Sequence, residues 1–181
     1  MPKALAQMCS FLSFLGCELS ISPCELAETY TPSVQVGMGE SRFVSIDDGD
    51  LVPFHYGPQG GQHVYGSIRT QGFAPGFALV FGGVRDGVDI NYSLYASDTE
   101  IGWGGGEGIA LSGTAEDGES FGSLVFVEFE ELFLDEQGKD ADWEDFDYYE
   151  TETPAILEVE ITDGCGTTAS DSREVLLYAY E

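Results

Sequence analysis

A chain of 181 residues, 43% of them hydrophobic, is long enough to bury a core of its own and has a globular composition, not a disordered one. Its 33 Asp and Glu face only 6 Lys and Arg, a formal charge of −27. So few cations exclude a phosphate-neutralising stripe for nucleic acid and disfavour anionic membrane surfaces, leaving solubility in a screening medium or divalent-cation binding as the reasons for the acid.

Residues 1–24 read as a targeting segment with a short linker, and residues 25–181 as a single β domain. Lys3 is a minimal positive start, and Ala4 to Gly16 is an apolar run too short to span a bilayer. Phe14-Leu15-Gly16-Cys17 approximates a bacterial lipobox, in which Cys17 would be acylated; Phe14 stands where Leu is usual, and Cys9 interrupts the run. A core helix or a misplaced start codon are the alternatives. Export with lipidation of Cys17 leaves Cys24 and Cys165 to enter an oxidising compartment together, so these two are the expected disulfide pair. Membrane contact is then expected only through the lipid anchor.

After Cys24 the pattern is strands and turns. Val34, Val36 and Met38 alternate with polar or small residues, and Phe43 to Ile46 is a short strand before the Asp47-Asp48-Gly49-Asp50 turn. Phe54 to Tyr65 (FHYGPQGGQHVY) holds the chain's only two histidines on either side of a Gly- and Pro-rich reversal. A turn centred on Gln59 places His55 and His63 directly opposite each other on paired strands, with Tyr65 and Arg69 on the same face. Gln62 to Thr70 is a strand with Val64, Gly66 and Ile68 on its inner face. Phe77 to Phe81 is a continuous apolar run, and Val88, Ile90, Tyr92, Leu94 and Ala96 alternate cleanly. Gly102 to Gly108 (GWGGGEG) reads as a loop around Trp103. Ile109 and Leu111 begin another strand, Leu124 to Phe129 is the strongest β-forming run, and Leu157 to Tyr180 is a hairpin about Asp163 to Gly166.

Several strings carry possible chemistry. His55 and His63 offer two imidazoles to copper or zinc, or are simply a cross-strand pair. The acidic stretch 135–153 offers Asp140, Asp142 and Asp145 as oxygen ligands for calcium, without the spacing of an EF-hand; a solvated excursion is the alternative. Trp103, Trp143, Tyr148 and Tyr149 are candidates for stacking on a sugar or a partner, or for packing. Gly118-Glu119-Ser120-Phe121-Gly122 matches the G-x-S-x-G string of serine hydrolases, but a turn precedes it, a strand follows it, and no histidine lies beyond it. It reads as a chance match.

Nine or ten short strands with closely spaced turns imply an all-β fold, an antiparallel immunoglobulin-like β-sandwich of about eight to ten strands. The terminal unit LEVEITDGCGTTASDSREVLLYAY resembles the last two strands of bacterial immunoglobulin-like domains. GPQGGQH, shortly after the lipobox-like string, resembles a signature of uncharacterised predicted lipoproteins of predatory gliding bacteria, a group that implies no activity. The expected function is a non-catalytic secreted or lipid-anchored envelope protein whose partner is a protein or glycan. The alternative is a secreted copper- or zinc-binding protein or metal-dependent enzyme using His55 and His63.

Overall fold

The computed structural model describes residues 23–57, 61–78, 84–85, 87–127 and 152–179. The lipobox-like segment with Cys17, the acidic residues Asp140, Asp142 and Asp145, and Trp143, Tyr148 and Tyr149 lie outside these residues.

A short helix, α1 (Pro23–Ala27), is followed by β1 (Ser33–Met38), β2 (Val44–Ser45), β3 (Asp50–Tyr56) and β4 (Gln62–Gln71). Then come β5 (Phe77–Ala78), β6 (Val84–Arg85), β7 (Val88–Ala96), β8 (Thr99–Ile109), β9 (Ser112–Gly113) and β10 (Gly118–Val127). The hairpin β11 (Thr153–Asp163) and β12 (Thr168–Ala179) ends the described chain. The all-β class expected from the period-2 alternation is what the chain adopts.

The strands close on themselves. Taken in order, β3, β4, β10, β8, β7, β11 and β12 each pair with the next, and β12 returns to β3, making a closed seven-stranded barrel. An odd ring has a geometric consequence, because antiparallel neighbours alternate in direction and an odd number cannot alternate all the way round. At least one pair must be parallel, and that pair is β3–β12, joined from Asp50↔Val175 to Phe54↔Ala179. The expectation of a wholly antiparallel sheet is corrected at this seam.

The barrel position between β4 and β12 is shared by two strands end to end. β3 meets β4 only at His55↔His63 and Tyr56↔Gln62, and β1 takes over from Met38↔Gly66 to Ser33↔Gln71. Among the described residues, no ladder joins β1 to β12. Instead the Val36 N–H donates to Asp171 Oδ2 at 2.9 Å, and Asp171 Oδ1 is held 2.6 Å from the Arg173 guanidinium.

Alternation fills the interior. Val64 and Ile68 of β4, Val88, Ile90, Tyr92 and Leu94 of β7, and Leu157, Val159 and Ile161 of β11 form one contiguous buried cluster with Val175 and Leu177. Tyr92 lies against Gly66, where a Cβ would come within 2.8 Å of the ring. Its hydroxyl is buried without a partner at hydrogen-bonding geometry among the described residues. Burial raises its pKa far above the usual phenol range, against a smaller downward pull from Ser123.

GWGGGEG is not a loop but the middle of β8. A Cβ at Gly104 would be driven into the Leu124 carbonyl oxygen of β10, and one at Gly105 into the Ile90 carbonyl oxygen of β7. Glycine is required here because the barrel wall brings backbone against backbone, not because the chain turns. The hairpin β11–β12 is closed by Asp163, a buried carboxylate whose Oδ1 accepts from Cys165 N and Thr167 N and whose Oδ2 accepts from Ala74 N. A disulfide joins Cys165 in that turn to Cys24 of α1, with Cα atoms 5.7 Å apart and a sequence separation of 141. Closing so long a loop is worth about 5 kcal/mol in the chain-entropy account.

Two alanine substitutions separate crowding from turn formation in β8. Gly105 has φ +121° and no space, so Gly105→Ala should lower stability by more than about 3 kcal/mol or prevent folding. Gly108 has φ +61° and nothing within 4 Å of the point a Cβ would occupy, so Gly108→Ala should cost about 1 kcal/mol. Urea midpoints of the two variants test this, and equal losses would contradict it.

Candidate functional site

The odd positions of β4, His63, Tyr65, Ser67 and Arg69, share the face away from the core; of these Ser67 is buried, its hydroxyl donating to Met38 O at 2.6 Å. Gly57 N–H donates to Gly61 O at 2.7 Å and closes the reversal between β3 and β4, so His55 and His63 fall opposite each other. Their ring centroids are 6.0 Å apart. Tyr65 packs on both, 5.2 Å from His55 and edge-on to His63 at 4.9 Å. Arg69 lies on this face but is committed elsewhere: its guanidinium is 2.6 Å from Glu119 and stacks 4.6 Å from the centre of the Phe43 ring.

The row of histidines continues across the barrel wall. On the other edge of β4, Phe126 is opposite His63 and Leu124 is opposite Tyr65. Trp103 of β8 is opposite Phe126, with ring centroids 5.5 Å apart. His55, His63, Phe126 and Trp103 therefore form one cross-strand belt over β3, β4, β10 and β8. Trp103 is 56% exposed, and Phe121, Leu124 and Phe126 are about two-fifths exposed. Exposed large apolar side chains are thus gathered in one place on a chain this acidic.

A bulge puts these side chains outside. β10 loses register with β4 between Ser120 and Ser123, where Gly122 takes φ +75° and its N–H donates to Gly39 O at 2.9 Å. The extra residue changes parity. Before the bulge Gly118 and Ser120 are buried; after it Val125 and Val127 are, and Phe121, Leu124 and Phe126 are turned outward. Ser120 of the G-x-S-x-G string thus sits inside a strand, opposite Ile68, and not on a strand-to-helix elbow.

Two hollows flank the belt. One of about 220 Å³ is lined by His55, Tyr65, Glu40 and Pro53. The other, about 610 Å³, lies between β8 and β10 beneath Trp103, Phe121, Leu124 and Phe126. Next to the second hollow, β7, β11 and β12 border a polar one lined by Asn91, Ser93, Glu158 and Asp171.

No protein-family model and no curated protein matches the chain.

The electrostatics of the histidines follow from this setting. His63 Nε2 is buried without a hydrogen-bond partner among the described residues. The His63 pKa is lowered, first by burial and then by repulsion from His55, with Glu40 pulling the other way. Among the described residues, no three His, Cys, Asp or Glu side chains converge closely enough to hold a metal ion. The structure brings His55, His63 and Tyr65 together. It adds Trp103, Leu124 and Phe126, which the sequence pattern assigns to a loop and to an undivided β run. The available signal is the alternation of Leu124 and Phe126 with Val125 and Val127.

The lowered pKa carries a stability consequence. Because the folded value lies below the unfolded value of 6.5, the unfolded chain binds the proton more readily between the two. Stability contributed by neutral His63 is thus complete above pH 6.5 and declines as pH falls through that value toward the folded pKa. Urea midpoints measured between about pH 7.5 and 5.5 should fall more for the wild type than for His63→Gln. Parallel curves would show that His63 does not titrate in this way.

Proposed function

We propose that this chain is a non-catalytic, exported cell-envelope protein, anchored through a lipid on Cys17, whose barrel serves as a ligand-binding or structural module. The observation that carries the reading is the Cys24–Cys165 disulfide, a bond that persists in oxidising compartments and is rare in the cytosol. The lipobox-like Phe14-Leu15-Gly16-Cys17 and the GPQGGQH signature support the same placement. Among the described residues, no helix is long and apolar enough to cross a membrane. The β11–β12 hairpin, with its Thr162-Asp163-Gly164 turn, supports the immunoglobulin-like resemblance at the finer level of fold.

The barrel interior is packed with apolar side chains, so a ligand would be met on the outer wall, where the aromatic belt lies. The expected ligand is a protein or a glycan at the envelope. Copper or zinc at His55 and His63 is the second reading, favoured by the register of the two rings and the unpartnered Nε2 of His63.

Expression of the full chain in a bacterial host tests the first reading. Mass spectrometry of the alkylated, unreduced protein should show Cys24 and Cys165 unmodified and an acylated N-terminal Cys17, and processing should stop with a signal-peptidase II inhibitor such as globomycin. A cytoplasmic product that retains Met1 and alkylates at both cysteines would remove it.

A further inference from the structure

β8 and β10 form a ladder only from Gly102↔Val127 to Gly104↔Val125, and β9 then pairs with β10 at Ser112↔Glu119 and Gly113↔Gly118. Between those two contacts, among the described residues, β10 has no strand on that edge from Ser120 to Leu124, and the glycines of β8 move away from it. Crowding at Gly104 gives way to open space at Gly108. The result is a window of about 610 Å³ in the wall, rimmed by Trp103, Phe121, Leu124 and Phe126. Glu107 is its charged residue, and among the described residues no Lys or Arg lines it.

We propose that this window receives a basic, extended segment of a partner protein, with one arginine stacked on Trp103 and a second paired to Glu107. This rests on the reading of the outer wall as a binding surface. Trp103 and Glu107 are both exposed and four residues apart on β8, at most roughly 13 Å, with one extra residue of β8 against β7 between Gly106 and Ile109. A strand-like segment with arginines four residues apart presents both guanidinium groups on one face at the same spacing. Guanidinium is the cation that stacks on an aromatic plane and also supplies several donors to a carboxylate. The exposed strand edges accept an extended backbone. Charge selects the occupant: the chain carries −27, and Arg69 and Arg173 are already paired with Glu119 and Asp171. A second copy of this chain would be repelled, whereas a basic segment is attracted.

The probe is a blocked Arg-Ser-Gly-Ser-Arg peptide titrated into the isotopically labelled full chain at about 150 mM salt, where diffuse attraction is screened. The expected shifts are at the Trp103 indole and at the amides of Gly105 to Glu107 and Phe121 to Ser123. Trp103→Ala and Glu107→Gln should each weaken binding about three-fold or more, the scale of half-exposed stacking and ion-pair contacts. Glu174→Gln, on the exposed face of β12 three strands from β8, should leave it unchanged. Equal binding of an Arg-Arg-Gly-Ser-Ser isomer, or an equal loss with Glu174→Gln, would reduce the effect to general attraction and overturn the proposal. A response to a neutral hexasaccharide alone would keep the wall as a binding surface but remove the basic partner. Silence with both probes would remove both.

Discussion

The carbonyl oxygens of Ile90 and Leu124 approach β8 from either side, so closely that positions 105 and 104 must be glycine. Much of the remaining architecture depends on that approach. With no side chains to hold the neighbours off, β8 bends between β7 and β10, and the wall can curve enough for β12 to reach β3. The same bare stretch leaves Trp103 as the only aromatic side chain between Gly102 and Gly108, resting on Phe126 of the next strand. Curvature and an exposed aromatic rim therefore have one cause. The bulge at Gly122 completes it, since without the change of parity Phe126 would point inward and Val125 outward.

Electrostatics act on the barrel from outside. With 33 carboxylates against 6 Lys and Arg, self-repulsion opposes compaction and is relieved by salt. Two of the arginines stand near breaks in the backbone pairing. Arg173 steadies the Asp171 carboxylate that bridges to β1, and Arg69 ties β4 to Glu119 of β10 just before the bulge. Neither ion pair is deeply buried, so each contributes modestly by itself. Their placement matters more than their strength: Arg173 acts where no ladder among the described residues joins β1 to β12, and Arg69 within the β4–β10 ladder one pair short of its last before the bulge.

Much of the local structure was legible in the sequence. The alternation of Val88 to Leu94 and of Leu157 to Ile161 marks their buried faces, and the symmetry of His55 and His63 about Gln59 matches the register found. The glycine run at 102–108 was opaque, because a strand without side chains carries no period to read. The G-x-S-x-G region was opaque for a related reason: one inserted residue at Gly122 divides a continuous β10 into two opposite alternations. Ring closure is a long-range property. That one pair must lie parallel follows from the count of strands around the barrel, which no window of sequence contains, and here that pair is β3–β12. The aromatic belt needs strands far apart in the chain, with His55, His63, Trp103 and Phe126 contributed by four of them.

The disulfide has a mechanical side. Cys24 stands just before the first strand, and Cys165 sits in the final hairpin turn. Tension applied to the chain ahead of Cys24 passes through the sulfur bridge to that turn, bypassing the stretch of sequence between them. β1 to β10, including the glycine-pinched wall and the aromatic belt, are therefore outside the line of force. Against a load at the end of β12, a tether pulled from that side loads the β11–β12 hairpin first, with the chain of the outer wall outside the covalent path.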